Sequence, residues 1–348
     1  MISLRQKIAQ MLIIGFSGLT LDDNSPVSQW LMSDGLGGVL LFDIDWATRK
    51  PEKNLRDKEQ IKRLNQDLND YSALGNNKQP LFIAIDYEGG AVDRLRNIAD
   101  CMPTMKPCDQ ALLSNDEWFT EASNMAVTLK ELGFNLNFAP VVDLNLNQEQ
   151  GIIGKLGRSF SDDPIVVSNA AAIFVQAFAK QKMACSYKHF PGHGSAIGDT
   201  HEGFVDVTDT YQASELQPYR SLAEHPEWPL MVMTAHVINR QLDPSGLPAT
   251  LSHPMLTGIL REEMGFDGVI VSDDLQMQAI SHHYSMSDAL KLTINAGADM
   301  VIFGNQLGSI TAKEVIDCIE QLVKKGDIKL DRIESAYQRI VCLKRAIA

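Results

Sequence analysis

Three of the eight histidines, His189, His193 and His201, fall within one short stretch, YKHFPGHGSAIGDTHEG, beginning at Tyr187. Gly192, Gly194 and Gly198 let its backbone turn sharply and approach a ligand, and Asp199 stands two residues before His201, where it can accept a hydrogen bond from the ring. A carboxylate that fixes the tautomer of an imidazole and keeps it basic is a device for accepting and returning a proton near neutral pH. The same groups are also a candidate metal site: His189, His193, His201 and Asp199, with His236 and Asp273 as further ligands, would make a metal-dependent hydrolase. Metal ligands need fixed local spacing, and a Gly- and Pro-rich loop offers neither an HExxH helix nor a strand-borne HxH pair. Proton transfer without metal or cofactor is the expected role.

The elements that must carry this loop can be read from hydrophobic runs. Eight short segments are nearly continuous in apolar and β-branched residues: 11–16, 38–42, 81–86, 134–140, 184–190, 230–236, 268–273 and 299–305. Such runs fit strands buried on both faces, as in a parallel sheet. Helical patterns lie between them. Ile61, Leu64 and Leu68 share a face over 57–72, and Trp118, Ala122, Met125, Leu129 and Leu132 do so over 115–132. Asp163-Pro164 opens another helix, one through Leu256, Ile259 and Leu260 stops at Gly265, and one closes at Ala296-Gly297. Helices over 311–325 and 330–346 finish the chain. Eight strand and helix alternations predict an α/β chain, a (β/α)8 TIM-type barrel with extra C-terminal helices, because eight parallel units close a sheet without an edge. No linker or charge block interrupts residues 1–348, so one domain is expected.

In such a barrel, catalytic groups stand at the C-terminal ends of the strands. Reading off each strand end gives Asp43 and Asp45, Asp86 and Glu88, Asp143, Lys188 and His189, His236, Asp273 and Asp274, then Asn305. The longest irregular segment, 43–58, follows the second strand, on the active-site side of a barrel, and carries Trp46.

Composition excludes several classes. The 348 residues are 45% hydrophobic and 22% charged, enough for a large core, and the net charge of −13 repels nucleic-acid phosphates and anionic membranes. No apolar run reaches the ~18 residues of a membrane span. Gln6, Lys7 and Gln10 interrupt what would be the apolar stretch of a signal peptide, so a cytoplasmic protein is expected. The five scattered cysteines suggest reduced thiols, and the expected form is a monomer.

KHFPGHG (188–194), DTH (199–201), VSDD (271–274) and IDYEGGAVDRL (85–95) together resemble glycoside hydrolase family 3, specifically the single-domain bacterial β-N-acetylglucosaminidases, or β-hexosaminidases, of peptidoglycan recycling. The similarity runs from about residue 8 to residue 305. It implies a retaining exo-glycosidase acting on terminal β-linked N-acetylglucosamine of a small saccharide or muropeptide. Asp273 matches the family nucleophile, which forms a covalent glycosyl-enzyme. His201 matches the acid/base and Asp199 its partner, with Asp274 expected to point the other way along the strand. Family members that use a Glu acid draw it from a further C-terminal domain, for which the two helices after strand eight leave no room. Asp86, Arg94, Arg158, Lys188 and His189 match positions that hold sugar hydroxyls. The alternative for Arg158 is a salt bridge to Asp162 or Asp163, and for Asp86 and Arg94 a mutual pair at the end of the third strand. Glu88 is expected to bond loop amides, and Asp143 has either role open. Ser195 and Ala196 stand where Asp-Thr is common, Ala91 replaces a frequent Arg and Tyr87 a frequent Gln. These departures keep the catalytic groups but leave open a family 3 glycosidase of different sugar specificity, or a glycoside phosphorylase.

Overall fold

The computed structural model describes residues 2–75, 77, 79–198, 203–221, 225 and 227–348. The eight apolar runs form eight parallel strands: β1 (Leu12–Gly15), β2 (Gly38–Leu40), β3 (Phe82–Ile85), β4 (Leu136–Asn137), β5 (Ala184–Phe190), β6 (Leu230–Thr234), β7 (Val269–Asp274) and β8 (Met300–Phe303). Each pairs with its sequence neighbours, and β1 closes on β8 through Leu12–Val301, Ile13–Ile302 and Ile14–Phe303. A closed parallel barrel satisfies every strand edge and buries both faces, which is why these segments lack polar alternation.

The longer helices are α1 (Leu4–Gln10), α2 (Pro26–Met32), α3 (Lys58–Leu74), α4 (Asn115–Glu131), α5 (Pro164–Lys180), α6 (Pro254–Glu263, wound as a π-helix), α7 (Met286–Ala296), α8 (Ala312–Lys325) and α9 (Leu330–Ala346). Their starts are set by local chemistry. Asp57 accepts from the Gln60 amide, Ser114 and Glu117 form a reciprocal cap, Asp163 accepts from the Ile165 amide beside Pro164, and Thr311 pairs with Glu314. The fifth crossover departs from the regular alternation. Among its described residues the helical part is two single turns, Ala213–Leu216 and Gln217–Arg220. No helix among the described residues is long and apolar enough to cross a membrane.

Buried ion pairs fasten the C-terminal helix to the end of the barrel away from the expected site. Asp299, fully buried before β8, accepts from Arg332 Nη2 at 2.7 Å and the Ile270 amide at 3.0 Å, and pairs with Arg261 and Arg339. Lys344 of α9, also fully buried, donates to Gln10 Oε1 at 2.7 Å and the Gly37 carbonyl at 2.8 Å. Burial pushes its ammonium far below the ordinary lysine range.

Candidate active site

After β3 the chain folds into a small antiparallel ribbon, Tyr87–Gly89 against Val92–Asp93. Asn137 of β4 clasps it by accepting from the Tyr87 amide at 3.0 Å and donating to the Tyr87 carbonyl at 3.1 Å. Gly89 (φ 110°) is required, because a Cβ there would lie 2.2 Å from the Met105 carbonyl oxygen. The ribbon carries Asp86, Glu88 and Arg94 into a charge network with Lys188 and Arg158. Lys188 Nζ lies 2.9 Å from Asp86 Oδ1 and 2.7 Å from Glu88 Oε1. Arg158 grips Glu88 with both arms, Nε to Oε2 and Nη2 to Oε1, each at 2.8 Å. Arg94 lies 3.4 Å from Asp43 Oδ1 and 3.7 Å from Asp86 Oδ2.

Two sequence expectations are corrected here. Arg158 pairs with Glu88, not Asp162 or Asp163, and Glu88 binds two cations where loop amides were expected. Burial would by itself raise the Glu88 carboxyl, but Arg158 and Lys188 outweigh it and hold the group well below the carboxylate range. Lys188 is held charged in turn: Asp86 and Glu88 overcome the effect of its burial. Glu88→Ala removes the paired carboxylate of buried Arg158 and leaves Lys188 with Asp86 alone, and is expected to destabilise the fold by about 3 to 5 kcal/mol. Glu88→Gln should lose less. Urea unfolding of the two variants checks this, and equal stability of wild type and Glu88→Ala would mean that the cations find water instead.

Beside the network, Asp143 orders the start of the histidine loop. It is fully buried and accepts from the His189 amide at 3.1 Å, the His193 amide at 2.8 Å and His189 Nδ1 at 2.7 Å. The carboxylate fixes the orientation of the His189 ring through Nδ1. Asp143 is thus an anchor of the loop. Burial pushes His193 down to about 4 despite Asp143, so it is neutral at pH 7. Glu215 lies beneath the same loop, accepting from the amides of Gly194 (3.0 Å), Ser195 (3.3 Å) and Gln212 (3.3 Å).

Sequence reasoning did not single out Glu215. Burial pushes its carboxyl up to about 7, against an ordinary value of 4.5. Between those values the folded protein retains a proton that the unfolded chain has released, so stability falls as pH rises through the window and stays lower above it. The expected loss is about 3 kcal/mol. Thermal melts from pH 4.5 to 8 should show this slope in wild type and not in Glu215→Gln. Parallel profiles would show that the three amides keep the carboxylate ionised throughout.

At the end of β7 both aspartates reach the opening. The pairing of β7 with β8 shifts register between Val271 and Asp274, which breaks the strict alternation of sides. Asp274 therefore also lines the cavity, contrary to the expectation that it points away. Its Oδ1 accepts from the Gln276 amide at 2.9 Å, while Asp273 Oδ1 accepts from the Asp274 amide at 2.8 Å. His236 supports this corner and is no metal ligand. Its Nδ1 is 2.8 Å from Thr250 Oγ1 and its Nε2 3.0 Å from the Asp274 carbonyl. Among the described residues no three His, Cys, Asp or Glu side chains are gathered as a metal site would require.

Asp86, Arg94, Arg158, Lys188, His189 and Asp273 all line one cavity of about 310 Å³. Asp45 and Asn305 serve the loops instead. Asp45 accepts from the Thr48 amide at 2.9 Å, and Asn305 Nδ2 donates to the carbonyls of Gly15 (2.9 Å) and Ile310 (3.0 Å). Trp46 also lines the cavity, because the 43–58 segment is tied down by Lys53, which bonds the Asn305 carbonyl and Gln306 Oε1, and by Asn54, which bonds the backbone of Phe16, Gly18 and Phe42. Asp199 and His201 lie outside the described residues.

Known proteins resemble this chain in sequence and in fold. The family description "Glycosyl hydrolase family 3 N terminal domain" matches residues 3–343. A beta-hexosaminidase of Xylella fastidiosa (strain 9a5c) is 34% identical over 301 residues, which are 84% of this chain and 82% of the relative. Beta-hexosaminidase A of Pseudoalteromonas piscicida is 31% identical over 338 residues, 91% of this chain but 54% of the relative, so the chain spans about half the length of that protein. Among solved structures, a glycoside hydrolase family 3 beta-N-acetylglucosaminidase from Paenibacillus sp. str. FPU-7 superposes with a TM-score of 0.88 at 30% identity, covering 100% of this chain and 63% of that one. A family 3 glycosyl hydrolase from Mycobacterium smegmatis superposes at 0.82 with 28% identity, covering 98% and 97%. With the family match running from residue 3 to residue 343 and the barrel superposing throughout, the chain belongs to glycosyl hydrolase family 3.

Proposed function

We propose that the protein is a retaining exo-glycosidase that removes terminal β-linked N-acetylglucosamine from small saccharides. The observation that carries this reading is the gathering of Asp273 with a buried, mutually paired set of sugar-binding groups around one sugar-sized cavity. Asp86, Arg94, Arg158, Lys188 and His189 hold the hydroxyls of the terminal ring, since charged and bidentate partners suit a polyhydroxylated ligand. Asp273 attacks the anomeric carbon as the aglycone oxygen leaves, giving a glycosyl ester. His201, oriented by Asp199, donates the proton that the leaving oxygen needs and later takes one from the attacking water. These steps use no metal.

The similarity to proteins named beta-hexosaminidase supports the choice of glycone. Muropeptides are one source of such sugar ends, and the role in peptidoglycan recycling rests on the family resemblance. We further read residues 1–348 as one catalytic domain acting as a cytoplasmic monomer. All five cysteines are free thiols, which suits a reducing compartment.

The test is hydrolysis of p-nitrophenyl N-acetyl-β-glucosaminide beside the plain glucoside and galactoside, with the product anomer followed by NMR. Release from the first with the β-anomer formed initially supports the proposal. Hydrolysis of the glucoside alone overturns the glycone, an α-product overturns the covalent step, and formation of a sugar phosphate in phosphate buffer turns the enzyme into a phosphorylase.

A further inference from the structure

The floor and the mouth of the cavity differ in kind. Glu88, Lys188 and His189 at the floor are buried and ionically or hydrogen-bond paired. The mouth is bordered by Trp46, Ala91, Val92, Ile152, Leu156 and Leu307, all half-buried or exposed, with Leu307 39% exposed. These residues come from the loops after β2, β3 and β4, which are neighbours in the barrel, and from the loop after β8, one strand beyond β2 across β1. Gln306 ties the β8 loop to the β2 loop: its Oε1 accepts from the Trp46 amide at 3.0 Å and its Nε2 donates to the Ile44 carbonyl at 2.8 Å. An apolar rim held in place beside a charged floor removes apolar surface from water only when a ligand covers it.

Charge points the same way. The cations among the described lining residues are already matched: Arg94 with Asp43 and Asp86, Arg158 with Glu88, and Lys188 with Asp86 and Glu88. Asp273 and Asp274 also line the wall, where the buried Lys53 faces both Asp274 and Asp45, and the whole chain carries −13. Lys106 and Lys155 are exposed nearby but do not line the cavity. A carboxylate entering the mouth therefore meets apolar side chains and an excess of negative charge.

We propose that the mouth is an aglycone subsite for an uncharged pyranose, whose C–H face lies on Trp46 and Leu307, and that it disfavours aglycones bearing a carboxylate. The inference rests on the exo-acting reading above, in which the terminal sugar occupies the floor and the remainder must leave past the rim. It makes a neutral chitin-type disaccharide a better substrate than an acidic muropeptide.

Two disaccharides with the same β-1,4 linkage and the same type of leaving hydroxyl separate these cases: N,N′-diacetylchitobiose, and the analogue whose reducing sugar carries a 3-O-lactyl carboxylate. The wild-type enzyme should show kcat/KM about tenfold higher for the neutral one, and a preference below threefold, or a reversal, overturns the proposal. Trp46→Ala should raise KM for diacetylchitobiose at least fivefold with kcat little changed. Leu307→Lys should raise kcat/KM for the acidic disaccharide at least threefold. An unchanged KM in the first variant, or no gain in the second when its melting temperature is normal, also counts against it. Turnover of both disaccharides without discrimination defeats this inference alone. Failure to cleave any N-acetylglucosaminide defeats the parent reading and this one with it.

Discussion

Asp273→Asn is expected to lower kcat by about 10⁴-fold or more while leaving the melting temperature within a degree or two of wild type. The amide cannot form the glycosyl ester, because its oxygen lacks the charge and its nitrogen is no nucleophile at neutral pH. The fold has no reason to change, since an Asn oxygen can still accept from the Asp274 amide as Asp273 Oδ1 does at 2.8 Å. Asp274→Asn is the necessary companion, because both carboxylates line the cavity. Its side chain caps the Gln276 amide and faces Gly304, where a Cβ would stand 2.6 Å from Asp274 Oδ2. That packing suits a structural corner, so the loss should be at least tenfold smaller than for Asp273→Asn. Trapping with a 2-fluoro or 5-fluoro sugar and mapping the labelled peptide checks the assignment directly. Label on Asp274, or comparable losses in the two variants, would move the nucleophile.

The second large effect falls on His201 and depends on the leaving group. His201→Ala should reduce hydrolysis of diacetylchitobiose by about 10² to 10⁴-fold, the usual range for a lost general acid. The 2,4-dinitrophenyl glycoside needs little protonation, so its glycosylation step should suffer far less. The variant should then accumulate the glycosyl-enzyme, seen as a burst of dinitrophenolate, because activation of water is lost as well. Asp199→Ala should follow the same pattern with smaller losses, since the imidazole remains and only its orientation suffers. Equal losses on both substrates would remove His201 from proton transfer and leave it as a binding group.

Much of the scaffold was legible in advance. All eight apolar runs became barrel strands, because a strand buried on both faces must be continuously apolar and few other elements read that way. Most ends moved inward by one to three residues, as at 134–140, where only Leu136–Asn137 pairs regularly, while 184–190 kept both ends and the seventh strand runs one residue further, to Asp274. The rule that barrel chemistry stands at strand ends then brought attention to Asp86, Lys188, His189 and Asp273, which the structure gathers at one cavity. Less of the pairing was legible. Arg158 passes over the nearby Asp162 and Asp163 for Glu88, 70 residues away, because the ribbon after β3 delivers a buried carboxylate that must be neutralised. Asp143 anchors His189 from 46 residues away by the same logic. Trp46 reaches the cavity because Lys53 and Asn54 tie its loop down and Gln306 holds its backbone from a distant part of the chain.

Hydrophobic period, capping residues and strand-end position are properties of neighbouring residues, so the amino-acid order alone decided the barrel, its helices and the identity of the groups at its mouth. Which of those groups bind each other, and which remain to meet a sugar, is a matter of contacts between residues distant in the chain. A buried charge takes the counter-charge that folding brings nearest, and that partner is chosen by barrel closure, by the register shift between β7 and β8, and by loops crossing from one strand end to another.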